Sequence, residues 1–120
     1  MGTKAKAELV VAGFSTAAAG IAAGMAQVPF SDQGPLMAND IAMAIAVGKV
    51  YGVKVKENIA KSLVASSLGN QLGTGIFKGI MELIPEIGNG VNAAAVAAAT
   101  TETVGNLLIE HFQEETGDYS

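Results

Sequence analysis

The sequence predicts an all-α protein, a compact bundle of four to five helices that is rich in alanine and glycine. Half of the residues are hydrophobic but only 5% are aromatic, a composition that suits helices packed closely through small side chains. Clusters of proline and glycine divide the chain into segments of helical length, and no segment alternates apolar and polar residues for long enough to indicate a strand. A chain of 120 residues has room for one domain.

The N-terminal part of the sequence predicts a helical hairpin. Its first helix is expected at about 4–26, and its second at about 35–50, ending near Tyr51. The segment between them, VPFSDQGP at 28–35, breaks the helix because its two prolines, its glycine and its aspartate do not favour continuation.

The rest of the chain predicts further helices separated by glycines. The residues VKVKE, 53–57, would suit a short extended stretch, but the apolar residues that follow repeat at helical spacing. The glycines around 69–75 are expected to loosen the chain before the next helix. The predicted elements are a helix at about 54–67, a short helix at about 76–84, a long helix at about 91–115, and a flexible acidic tail at 116–120 of the single domain 1–120.

The low charge of the chain predicts a surface that something else covers. Charged residues make up 15% of the sequence, against about 25% in an ordinary soluble domain, and the mean hydropathy is +0.40. No charge occurs between Leu9 and Ser31. That stretch nearly has the length of a membrane span, but its alanines and glycines favour insertion only weakly. A signal peptide is the lesser alternative, because secretory apolar segments are shorter and richer in leucine.

Charge and residue types also exclude several classes of partner and chemistry. The net charge of −4 and the absence of arginine exclude nucleic acid as a partner. The chain has no cysteine and no motif of a P-loop, a zinc protease or an EF-hand. His111 and Glu115 stand four residues apart, which is the spacing of a surface pair on a helix. We therefore predict no catalytic residue, no cofactor and no metal site.

Small residues spaced four apart are the strongest positive signal. On a helix, such residues share one face and let another backbone approach closely. The sequence therefore predicts helix packing through two rows, which consist of Thr16, Gly20 and Gly24 in the first helix, and of Gly69 and Gly73 near the middle of the chain.

Two acidic residues and a group of lysines are further candidates. Asp40 and Glu102 lie within apolar helices, so they are either buried polar groups or residues at an exposed edge. If both face the interior of an assembly, they would form an acidic constriction. Four lysines could face anionic lipid headgroups or form an ordinary solvated surface; they are Lys49, Lys54, Lys56 and Lys61.

A series of short motifs runs in order from Pro29 to Phe112. The matching residues are Pro29, Asp32-Gln33, Met37, Val50-Tyr51-Gly52, Leu83-Ile84-Pro85, Gly88, the Ala/Val run after Asn92, Thr100-Thr101-Glu102, Gly105 and Phe112. This order resembles the bacterial domain of unknown function found at the C-terminus of some Era-like GTPases and in YcjF-type inner-membrane proteins. The resemblance implies a hydrophobic helical module linked to a GTPase. It implies no catalytic residue, and since the sequence holds no GTPase half, the GTPase would be a separate protein.

These observations predict a non-catalytic, self-associating helical module that packs on or in a membrane, alongside a GTPase if the resemblance extends to partners. The expected location is the bacterial inner membrane. One alternative is a soluble homo-oligomeric scaffold or adaptor in the cytoplasm, and a further alternative is a small pore-forming protein.

Overall fold

The described part of the chain consists of four helices and contains no strand. The computed structural model describes residues 2–25, 33–74 and 90–120, with the side chains of 2–21, 36–67, 95 and 97–120. The all-α prediction is confirmed for this part of the chain, whereas the short helix predicted at 76–84 lies outside the described residues. The helices are α1 (Thr3–Met25), α2 (Gln33–Val50), α3 (Glu57–Thr74) and α4 (Gly90–Thr116).

The longest helices, α1 and α4, form the most extensive helix pair. They run antiparallel, because Val11 lies against Gly105 near the start of α1 whereas Ala18 packs with Ala97 farther along it. α2 is antiparallel to α1, since the side-chain amide of Asn39 donates to the carbonyl oxygen of Phe14 at 3.0 Å while Leu36 packs beside Ala18. The helices of the predicted N-terminal hairpin are thus in contact, and their connection, 26–32, lies outside the described residues.

The end of α2 is a hydrogen-bonded cap built around one glycine. Gly52 has φ +76°, a conformation that glycine adopts at little cost. Its amide donates to the carbonyl of Lys49 at 3.0 Å, and the amide of Val53 donates to that of Gly48 at 2.8 Å. This pair of bonds is the Schellman motif, which satisfies the last carbonyls of a helix. The sequence prediction that α2 ends near Tyr51-Gly52 is therefore confirmed.

α3 differs from its prediction at both ends. It begins at Glu57 rather than near residue 54, with the carbonyl of Lys56 accepting from the amide of Ala60 at 2.9 Å. It also continues through Gly69 and Gly73 to Thr74, where a loosened chain was expected. A glycine costs a helix only about 1 kcal/mol relative to alanine, so two glycines weaken a helix without ending it.

The interior consists of a large and a small cluster of buried apolar residues. The large cluster draws on all four helices and on the segment between α2 and α3; it contains Ala7, Val11, Met43, Ala44, Val47, Tyr51, Val55, Ala60, Val64, Val104, Leu108, Ile109 and Phe112. The small cluster joins Ala18 and Ala97, with Leu36 packed against them. Since so many of these side chains are small, the helices must approach closely to exclude water.

The final residues fold back toward the start of α1. The amide of Gly117, φ +73°, donates to the carbonyl of Gln113 at 2.8 Å, and the hydroxyl of Ser120 donates to Thr3 Oγ1 at 3.2 Å. The predicted tail, 116–120, thus makes hydrogen bonds with the bundle, while its flexibility stays a prediction.

Candidate interaction surface

One side of α1 is exposed for about three turns and carries no charge. Its residues are Leu9, Ala12, Gly13, Thr16, Ala17 and Gly20, which together we call the α1 face. At about 100° per residue they fall within about 140° of the circumference, opposite the buried Ala7, Val11 and Ala18. Leu9 is 60% exposed. An uncharged exposed face of this length is typical of a surface that meets another apolar surface.

Two residues of the first predicted packing row lie on this face. Thr16 and Gly20 are exposed, and a Cβ added at Gly20 would meet no atom within 4 Å. The Thr16 hydroxyl donates to the carbonyl of Ala12 at 3.0 Å, within its own helix. Gly24 belongs to α1, but its surroundings lie outside the described residues. In the described part of the chain, therefore, no other helix packs against Gly20.

Two glycines that do allow close packing inside the bundle were missed by the sequence analysis. A Cβ on Gly105 would lie 2.5 Å from Cγ1 of Val11, and one on Gly48 would lie 2.5 Å from Cγ2 of Val55. Both glycines occupy the apolar stripe of their helix. That position indicates a buried glycine better than its spacing from another glycine does. Gly69 and Gly73 lie within α3, and their surroundings are outside the described residues.

The open space at Gly20 gives a first test of these assignments. Gly20→Ala is expected to raise the free energy of unfolding by about 0.5–1 kcal/mol, because alanine favours the helix and its methyl group meets nothing. Gly48→Ala should instead lower it, since the methyl group would clash with Val55. Urea unfolding followed by circular dichroism measures both; equal effects at the two sites would contradict the packing described.

A groove of about 420 Å³ borders the α1 face where α1 meets α4. Two carboxylates, Glu8 and Glu102, line it together with neutral side chains. Ser15 is buried, and its hydroxyl has no hydrogen-bond partner within the described structure. The complete lining is Glu8, Val11, Ala12, Ser15, Thr16, Glu102 and Asn106. Within the described residues, no group of three or more His, Cys, Asp or Glu side chains could hold a metal ion.

The two acidic candidates lie in different environments. Asp40 is 5% exposed, and its Oδ1 accepts a hydrogen bond from the Thr101 hydroxyl of α4 at 3.1 Å. Burial raises the pKa of Asp40 from 3.8 to about 6, and the bond from Thr101 partly opposes that rise. Glu102 is exposed, which is the second of the two alternatives that the sequence leaves open for it; it follows Thr101 and is turned about 100° away from it. Within one chain, Asp40 and Glu102 do not share a site.

The predicted basic group is exposed around the start of α3. All four lysines are exposed, and Ile59, which is 50% exposed, lies among them in sequence. Glu57, also exposed, is the single acid within this stretch. Contact with lipid stays a prediction for Lys49, Lys54, Lys56 and Lys61.

The surface of the C-terminal half of α4 carries a side-chain contact between His111 and Glu115. Nε2 of His111 lies 3.1 Å from Oε2 of Glu115, and both side chains are about half exposed. An exposed pair of this spacing contributes little to stability, about 0.3–0.5 kcal/mol. The pair therefore adds no special chemistry to the surface.

None of the helices in the described ranges is both long and apolar enough to cross a bilayer. Comparison with known proteins gives one informative match. Over 107 aligned residues the chain is 28% identical to Magnetosome membrane protein 22 of Magnetospirillum gryphiswaldense. The chain is similar to a magnetosome membrane protein. The alignment covers 83% of this chain and 54% of the relative, so the chain spans about half of that protein's length. No family model and no solved structure matches the chain.

Proposed function

We propose that this chain is a non-catalytic helical module that packs against a membrane and associates with itself through the α1 face. The observation that carries the proposal is the exposure of an uncharged face on a helix whose opposite side is fully used in the core. The similarity to a protein named as a magnetosome membrane protein supports contact between the module and a membrane.

The α1 face is better suited to packing against a second helix than to contact with lipid. Its residues are mostly Ala and Gly, with Leu9 as the one large apolar side chain. Such a face buries little apolar area on a lipid surface, and each CH₂ buried contributes only about 0.8 kcal/mol. Glycine and alanine do allow two helix backbones to approach closely. We therefore propose that copies of the chain pair through this face and contact the membrane as an assembly.

The decisive experiment compares two matched charge substitutions. Ala17 lies on the α1 face and Ala65 lies on the exposed side of α3, so glutamate fits either position without a change in the core. We expect the parent chain and Ala65→Glu to float with liposomes and to form oligomers in light scattering, whereas Ala17→Glu should do neither. If Ala17→Glu and Ala65→Glu behave alike, the α1 face is not the contact surface.

The same measurements separate the alternative functions. A soluble homo-oligomeric scaffold would give a defined oligomer without liposomes and would not float with them. A pore-forming protein would release dye from vesicles. A compact monomer that ignores vesicles would overturn the proposal. A separate GTPase partner is proposed on the resemblance in the sequence alone, and its test is co-purification with the parent chain but not with Ala17→Glu.

A further inference from the structure

A layer of buried polar residues separates the two apolar clusters of the core. On each of three helices, one buried polar residue lies between a residue of the small cluster and a residue of the large cluster. The polar residues are Ser15 on α1, between Ala18 and Val11; Asp40 on α2, between Leu36 and Met43; and Thr101 on α4, between Ala97 and Val104. Met37, which precedes Asp40 on α2, also packs against the large cluster.

The strongest contact of this layer is the bond between Thr101 and Asp40, which joins α4 to α2. Among the described residues, no opposite charge accompanies it. Burial raises the pKa of Asp40, and the Thr101 hydroxyl lowers it. The charged residues of the described helices around it are exposed; they include Lys4, Lys6 and Glu8 on α1, Lys49 on α2, Glu57 and Lys61 on α3, and Glu102 on α4.

We propose that the Asp40–Thr101 pair is a proton-dependent latch for one end of the bundle. The small-cluster end consists of 18–25 of α1, 33–40 of α2 and 90–101 of α4. With the carboxyl group protonated, this end stays closed; ionisation loosens it, because a buried carboxylate without a counter-charge is strongly disfavoured. The large-cluster end, 43–50 and 104–116, keeps its packing.

The direction of the pH effect follows from the two states of Asp40. The closed state holds the proton more tightly, since its pKa of about 6 exceeds the value of 3.8 for an exposed aspartate. The latch stabilises the closed state fully below about pH 3.8, and this stabilisation is lost as the pH rises through about 6. In total, the equilibrium constant for closing falls about 100-fold. Between about pH 5 and about pH 7.5, this equilibrium constant is expected to fall roughly tenfold.

Hydrogen exchange tests this latch without any membrane. After correction for the intrinsic rate at each pH, protection of 33–40 and 90–101 should fall roughly tenfold between about pH 5 and about pH 7.5. Protection of 43–50 and 104–116 should change little. A uniform loss across all helices, or no loss at the small-cluster end, would overturn the proposal. Because this measurement uses the parent chain, it does not depend on a variant that folds.

Two variants and a control locate the effect. Asp40→Asn keeps an acceptor for Thr101 but cannot ionise, so the tenfold loss of protection should disappear. Glu102→Gln removes an exposed carboxylate on α4 and should retain that loss. Thr101→Val removes the hydrogen bond that lowers the pKa of Asp40, so the transition should move to higher pH. A pH response in Asp40→Asn equal to that of the parent chain would assign the effect to another group.

Discussion

Replacing Phe112 by alanine is expected to lower the free energy of unfolding by about 3–5 kcal/mol, as for other fully buried aromatic side chains. Phe112 is 1% exposed and is the largest of the fully buried side chains in the described structure. Its ring stacks with that of Tyr51, with centroids 6.3 Å apart and an interplanar angle of 19°. It also lies beside Gly48, since a Cβ there would be 3.1 Å from Cζ of Phe112.

The large effect follows from the cavity that the missing ring would leave in the core. Gly48, which lies beside the ring, has no side chain that could extend into this space. A loss of this size is a large part of the total stability of about 5–15 kcal/mol that is usual for a domain. Urea unfolding measures the change, provided that the variant is folded without denaturant.

The matched control for Phe112→Ala is Tyr119→Ala. Tyr119 is an aromatic residue near the same end of the chain, but it is 63% exposed, so its removal should change the stability by no more than about 0.5 kcal/mol. If Phe112→Ala costs no more than Tyr119→Ala, Phe112 does not fill the core as described. A melting transition that loses its cooperativity in Phe112→Ala alone would fit the expected result.

The helix boundaries were predictable where local chemistry decides them. α2 begins at Gln33, so Pro35, the predicted start, lies in its first turn, where proline is tolerated. Gly52 marks the end of α2, because glycine adopts the positive φ of the cap at little cost. The end of α3 was not predictable in this way. In the sequence, Gly69 suggests the end of a helix. Its free-energy cost within a helix is small, however, so packing decides where the helix ends.

The assignment of faces was less predictable than the boundaries. In α1, where alanine occupies both the buried and the exposed side, the apolar pattern hardly indicates which side faces the core, so the exposure of Gly20 could not be predicted from spacing. Thr101 and Glu102 illustrate the limit, since adjacent residues differ by about 100° and only one of them meets Asp40. A single long-range contact of this kind fixes the phase of a whole helix, and it is absent from local sequence.

Replacing Gly105 by valine is expected to lower the free energy of unfolding by about 3 kcal/mol, at the upper end of the range for an overpacked interior. An added Cβ would lie 2.5 Å and 2.6 Å from the two Cγ atoms of Val11 and 3.1 Å from its Cβ. Val11 is 3% exposed and cannot turn into solvent, so the two helices would have to separate. Since α1 and α4 form the most extensive helix pair, the strain would spread along both.

A double-mutant cycle with Val11→Ala tests whether this close approach is the cause. Val11→Ala alone should destabilise by about 1–2 kcal/mol through the lost burial of two methyl groups. The double variant, Gly105→Val with Val11→Ala, moves the valine from α1 to α4. An exchange that conserves volume is the best-tolerated change in a core. The double variant should therefore be more stable than Gly105→Val alone, with a coupling energy of at least about 1 kcal/mol. Strict additivity in urea unfolding would mean that Gly105 and Val11 do not meet, and that α1 and α4 lie farther apart than this glycine allows.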